Sequence, residues 1–327
     1  MDMYDRQRLK LHRSSCNRLG WFMMLYLLIM NVSMEIVTII EGLYRVLQYP
    51  EFTMDAFLDA LSNATQTDWG YIIAMFGVVL MILLWKKPKF VFSTVWEKGR
   101  PLHIRDFVVL LILFTGVQGV SQIWLNLSES VLNIFGLTIM ERLSLVSGGS
   151  DSLPMFIYSA VGAPIIEELM FRGVVMRQLR PAGKNFSIVA SAVLFGLFHG
   201  NLIQIPFAII VGLVLGYVAT EYSLGWAILL HMFNNMIVAD TLSRVLPTMT
   251  ANSVAAVLLF GCLAAGILIL ILRRKEIKFY LKSSPKDPIA YRGLFSAAGI
   301  IVFLAYVLFS VVSTALVLIT PLGSNFT

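Results

Sequence analysis

Charge is scarce in this chain. Only 13% of its 327 residues are Asp, Glu, Lys or Arg, against 58% hydrophobic residues and a mean hydropathy of +0.80. A soluble globular domain carries about 25% charged and roughly 45–50% apolar residues, so a fold surrounded by water is excluded. Cysteine is scarcer still: Cys16 stands in a basic segment and Cys262 inside an apolar run, which leaves no disulfide framework. Alternation is missing too. The apolar runs are long and unbroken, which excludes a transmembrane β-barrel and leaves helices as the way to satisfy the backbone in lipid. A cleaved signal peptide is not expected, because the apolar run from Trp21 is too long and no small-residue cleavage site follows it.

What the chain does have is a series of apolar runs. A membrane helix needs roughly 20 mostly apolar residues. Nine spans are expected, at about 21–40, 69–85, 106–125, 153–176, 187–200, 204–220, 224–240, 252–272 and 293–319. Loop charges test the count, because short cytoplasmic loops are enriched in Lys and Arg. Arg6, Arg8, Lys10, Arg13 and Arg18 place the N-terminus inside, and the acidic stretch Glu41, Glu51, Asp55, Asp59, Asp68 falls outside. Lys86 through Arg105 returns inside, the segment 126–152 with its single Arg142 lies outside, and Arg177, Arg180 and Lys184 lie inside. The loop 241–251, with Arg244 alone, is outside, and Arg273 to Arg292 form a basic inside loop. The expectation is an all-α polytopic bundle in a cell membrane, N-terminus cytoplasmic and C-terminus outside. The net charge of +6 would suit nucleic acid, but the basic residues cluster beside apolar runs, where they report topology. The expected surroundings are therefore a lipid bilayer and no nucleic acid.

Three regions follow: 1–150 with three spans, 151–242 with the polar residues described next, and 243–327 with two spans and a basic loop. Segments 41–68 and 126–152 leave room for short interfacial helices. Ala208, Gly212 and Gly216 recur every fourth residue, a spacing that lets helices approach closely. Packing inside one bundle is the preferred reading over a dimer interface.

Three of these spans carry groups that lipid penalises. Glu167, Glu168 and Arg172 lie on the fourth, His199 and Asn201 at the end of the fifth, and His231, Asn234 and Asn235 on the seventh. Each taken alone has a structural explanation. A lone His is more often a satisfied core residue, Arg172 could snorkel to the membrane face, and Asn often bonds between membrane helices. Their depth argues otherwise. At about 1.5 Å rise per residue, Glu167 sits about 15 Å from the cytoplasmic end of its span, His199 about 18 Å and His231 about 10 Å. Three helices thus place polar groups in one slab, which a shared wet cavity explains. Glu168 and Arg172, four apart, share a helix face and can pair, while Glu167 is rotated about 100° away. Pro164 is expected to kink the helix.

Such groups suit hydrolysis. A desolvated Glu takes a proton from water, a His assists the leaving amine, and His and Asn donate to a developing oxyanion. One Glu and two His also make a plausible zinc set with an open position for water, so Glu167, His199 and His231 are candidate ligands for Zn2+. The chain has no HExxH motif, no Ser in a Gly-rich span beside a His, and no pair of intramembrane Asp residues.

The motifs EELMFR (Glu167 to Arg172), FGLFH (Phe195 to His199) and HMFNN (His231 to Asn235) resemble those of the CAAX protease and bacteriocin-processing family, also called the Abi family, of intramembrane endopeptidases. All three occur in order, within about residues 150–240. The resemblance implies a CAAX-protease-like core and cleavage of a peptide bond close to the cytoplasmic leaflet, with a peptide or protein substrate, prenylated in the eukaryotic branch. It implies that Glu167 activates water with His199 beside it, that His231 and Asn235 stabilise the oxyanion, and that Glu168 and Arg172 form a supporting pair. It leaves open a metal-dependent or a glutamate-based reaction, with a slight lean to the second. Two other functions stay in play: a non-catalytic peptide-binding or immunity membrane protein, and a transporter using Glu167 and the histidines as a proton relay.

Overall fold

The computed structural model describes residues 2–47, 53–55, 57–58, 68–95, 97, 99–143, 152–236, 248–284 and 287–322. Nearly all of them are helical. The elements run α1 (Met3–Val46), α2 (Trp69–Lys86), α3 (Pro88–Val95), α4 (Ile104–Ile134), β1 (Leu137–Thr138), α5 (Leu153–Ala182), α6 (Lys184–Phe198), α7 (Ile205–Glu221), α8 (Leu224–Phe233), α9 (Thr248–Leu272), α10 (Arg274–Lys282), α11 (Pro288–Phe295), α12 (Ala298–Leu318) and β2 (Thr320–Pro321). The two strands form one short antiparallel ladder, pairing Leu137 with Pro321 and Thr138 with Thr320.

Among the described residues six helices, α1, α2, α4, α5, α9 and α12, are long and apolar enough to cross a membrane. Their outward faces carry Leu84, Phe76, Val257, Phe309 and Leu316 at 64–78% exposure. So much exposed apolar surface would be a liability in water; here it is the lipid-facing belt of a multi-pass membrane protein.

The three remaining runs are helical as well, with 15 residues in α6 and 17 in α7, while α8 continues through Asn234 to Met236. At 1.5 Å per residue α6 and α7 span about 22 and 25 Å, less than the roughly 30 Å of hydrocarbon. They pack on one another and on α5, itself the most enclosed of the six long helices. Hydropathy registers an apolar environment without saying whether lipid or protein supplies it, so a core helix reads like a span. The end of the seventh run (237–240) and the loop 241–247 with Arg244 lie outside the described residues.

The first span is also longer than expected. α1 has 44 residues, about 66 Å, because its basic stretch is helical too. That stretch is tied to the far end of the chain by Arg8 and His12, 2.5 and 3.2 Å from Asp287. α1 then crosses α12 backbone to backbone: a Cβ on Gly20 would lie 2.1 Å from the carbonyl carbon of Gly299, so only glycine fits. In the α6–α7 hairpin, Gly212 lies against Ala192 and Gly216 against Ile188, so the small-residue stripe serves packing inside the bundle.

Candidate active site

α5 is not a regular helix. Tyr158–Gly162 and Leu169–Met176 wind as π-helix, bonding i to i+5, and Asn234 to Met236 extend α8 in the same geometry. Such wide turns are rare and gather at functional sites. Pro164 lacks the N–H that would bond the carbonyl of residue 160, and it falls where the first wide turn gives way to Ala163–Glu168. The expected disturbance at Pro164 therefore takes the form of a wide turn. Both glutamates stand between the two π segments of α5.

Glu168 and Arg172 are fully buried and 2.6 Å apart. The same carboxylate oxygen, Oε1, receives Nδ1–H of His231 at 3.0 Å. Arg172 spends its other terminal nitrogen on the Gly212 carbonyl at 3.2 Å, and its guanidinium lies 4.4 Å over the Phe195 ring. Three helices, α5, α7 and α8, are thus joined through one ion pair. Two buried atoms of the pair, Glu168 Oε2 and Arg172 Nε, have no hydrogen-bond partner among the described residues.

Glu167 is placed differently. Its side chain is 15% exposed, and Oε2 lies 3.8 Å from Nε2 of His231. That distance is too long for a hydrogen bond, yet short enough for one water to touch both atoms. Since Nδ1 of His231 donates to Glu168, Nε2 is the nitrogen that faces Glu167. His199 caps the end of α6, and its Nδ1 donates to the Phe195 carbonyl at 3.0 Å, which leaves Nε2 free as an acceptor. The Phe195 ring meets His199 and His231 edge-on, at 5.0 and 5.9 Å between centroids. The two histidines thus flank one aromatic ring, and no hydrogen bond or ion pair joins His199 to Glu167 among the described residues.

Asn235 is held in a ladder of amides. It donates to the Ser159 carbonyl in the first wide turn at 2.9 Å and accepts from Asn234 at 3.0 Å, while Asn234 accepts from Gln118 of α4. One hydrogen of the Asn235 amide is left for another acceptor. Asn201 has a structural role: it closes the α6–α7 turn through the His199 carbonyl and Gln204.

Sequence reasoning missed Gln118 and a pair of tyrosines. Tyr26 of α1 and Tyr158 of α5 lie within electrostatic reach of each other and of Glu167. Tyr26 is 1% exposed and packs edge-on against Phe198, next to His199. A tyrosine in an apolar helix gives no local sign of its partner, and only the approach of α1 to α5 reveals it.

Among the described residues no three His, Cys, Asp or Glu side chains are gathered closely enough to hold a metal ion. Glu167 and His231 approach each other, while among the described residues His199 makes no direct contact with either, and His231 spends Nδ1 on Glu168.

Residues 149–237 match the family described as type II CAAX prenyl endopeptidase Rce1-like. The matched stretch contains all three motifs, so the resemblance read from them holds, and it supports CAAX-type intramembrane protease activity on a peptide substrate. No curated protein and no solved structure matches the chain.

Proposed function

We propose that the chain is an intramembrane endopeptidase in which Glu167 takes a proton from water and the hydroxide formed attacks a peptide carbonyl. One observation carries the reading: His231 stands between two adjacent carboxylates, bonded to Glu168 at 3.0 Å and separated from Glu167 by 3.8 Å. The two glutamates therefore divide the work. Glu168, paired with Arg172, accepts from His231 Nδ1–H and orients its ring. Glu167, 15% exposed and outside the Glu168–Arg172 pair, is left as the base.

In the reaction a water between Glu167 and His231 gives its proton to Glu167 Oε2 as its oxygen bonds to the carbonyl carbon. The electron pair of the carbonyl moves to oxygen. That oxyanion accepts from Nε2–H of His231 and from the remaining amide hydrogen of Asn235, groups fixed before the charge develops. Collapse restores the carbonyl and breaks the C–N bond, and the departing nitrogen takes the proton held by Glu167. His199, its free Nε2 turned from the Phe195 carbonyl, assists that transfer.

The face bearing Arg177, Arg180 and Lys184 is the proposed cytoplasmic side, with the N-terminus there and the C-terminus opposite, following the excess of Lys and Arg in its loops. The family description names prenyl endopeptidases, and a lipidated peptide presented from the inner leaflet is the proposed substrate. The test is cleavage of a prenylated peptide in proteoliposomes. Glu167→Ala and His199→Ala should each lower the rate by about 10²-fold or more, the usual contribution of acid–base groups, without unfolding the protein. Normal cleavage by both variants would overturn the assignment.

A further inference from the structure

A polar cavity lies on the Arg177 face, and neither Glu167 nor Glu168 lines it. It has a volume of about 360 Å³ and is lined by Glu97, Gly99, Arg177, Arg180, Thr220 and Ser223, among others. That size is at the lower end of small-molecule sites, roughly 300–1,000 Å³. Its walls are helix ends: the last turns of α5, the end of α7, the start of α8, and a strap ahead of α4 described at Glu97, Gly99 and Arg100.

The strap is fixed. Gly99 N–H donates to the Tyr222 carbonyl at 2.6 Å and Arg100 N–H to the Glu221 carbonyl at 3.0 Å. A Cβ on Gly99 would lie 2.2 Å from the Tyr222 carbonyl oxygen, so the wall closes only with glycine there. Within the cavity Arg177 meets Glu97 at 2.5 Å, while Arg180 makes no ion pair with a carboxylate among the described residues. Two guanidiniums against one carboxylate leave one positive charge. The nearby carboxylate that could balance it, Glu221, is taken by Lys184 at 3.2 Å and by the Tyr280 hydroxyl at 2.7 Å. The Ser223 hydroxyl, which accepts from Trp226 N–H at 3.1 Å, keeps its own hydrogen for an anion, whereas Thr220 donates to the Met176 sulfur.

The level of the cavity narrows the ligand. Beside it, Arg100 bonds the hydroxyls of Tyr217 and Tyr222 at 2.8 and 3.0 Å and lies 4.6 Å over the Tyr222 ring. Trp226, 37% exposed, stands three residues beyond Ser223. Tyrosine and tryptophan collect where lipid meets water. We propose that this cavity binds a phosphate anion at the membrane surface through Arg177 and Arg180, from an anionic lipid headgroup or from free phosphate.

The experiment uses the full chain in neutral detergent. Native mass spectrometry compares retention of phosphatidylglycerol and phosphatidylcholine, and thermal melting follows addition of inorganic phosphate. Each arginine near an anionic headgroup is worth about fivefold in affinity. Preferential retention of phosphatidylglycerol, reduced about fivefold in Arg180→Gln and further in Arg177→Gln/Arg180→Gln, identifies the headgroup as the source. A phosphate-dependent rise in Tm that the same variants abolish identifies the free anion. Arg274→Gln, on the same face but outside the cavity, should change neither. Melting without ligand checks folding, and Arg180→Gln alone carries the test if the double variant does not fold. The proposal fails if wild type shows neither preference nor shift, if the double variant keeps them, or if Arg274→Gln removes them equally.

Discussion

Two ionic networks in this molecule use the same residue types to different ends. The inner one, Glu168 with Arg172 and His231, is fully buried at both ends of its ion pair. The outer one joins Lys184, Glu221 and Tyr280 at helix ends, and its charged side chains are 27% and 20% exposed. Burial and then the bond to Glu221 push the Tyr280 phenol well above its ordinary range, so it stays the donor at neutral pH. Exposed pairs are worth little, and buried pairs often return less than their desolvation costs. A chain that needed only stability would pack apolar groups at 168 and 172. Keeping the buried pair is explained by what it positions: His231, on the side facing Glu167.

That contrast can be broken by mutation. The largest expected effect is Arg172→Met, which strands a buried carboxylate and should cost about 3–5 kcal/mol, seen as a large fall in Tm. Arg172→Met/Glu168→Leu should recover much of that stability while remaining inactive, because His231 loses its anchor. A smaller effect is expected for Gln118→Leu, which removes one amide bond from the ladder ending at Asn235. Stability should fall by about 1 kcal/mol, with kcat reduced and KM little changed in the peptide assay. Smallest is Lys184→Met, where the loss should stay within about 1 kcal/mol and cleavage should be unaffected. A destabilisation by Lys184→Met as large as that by Arg172→Met would erase the distinction.

Much of this arrangement was legible in the sequence, for a physical reason. The i,i+4 spacing of Glu168 and Arg172 puts them on one helix face, and the pair forms at 2.6 Å. The 100° step to Glu167 separates the two carboxylates just as locally. Polar groups on separate helices pointed to one shared site, and His231 of α8 does approach both glutamates of α5. What stayed hidden depends on contacts between distant segments. Tyr26 and Gln118 reach the site from α1 and α4, where nothing in their apolar surroundings marks them. The wide turns of α5 leave only Pro164 as a trace. Which nitrogen of His231 meets which carboxylate is likewise a matter of three-dimensional placement.

The central claim is that adjacent glutamates have separate tasks, and one paired measurement tests it: cleavage rate and Tm of Glu167→Gln beside those of Glu168→Gln. The account predicts that Glu167→Gln abolishes cleavage with Tm unchanged, while Glu168→Gln lowers Tm by stranding the Arg172 charge and retains measurable cleavage. A Glu167→Gln protein that cleaves normally, or a Glu168→Gln protein that is as stable as wild type, would contradict it.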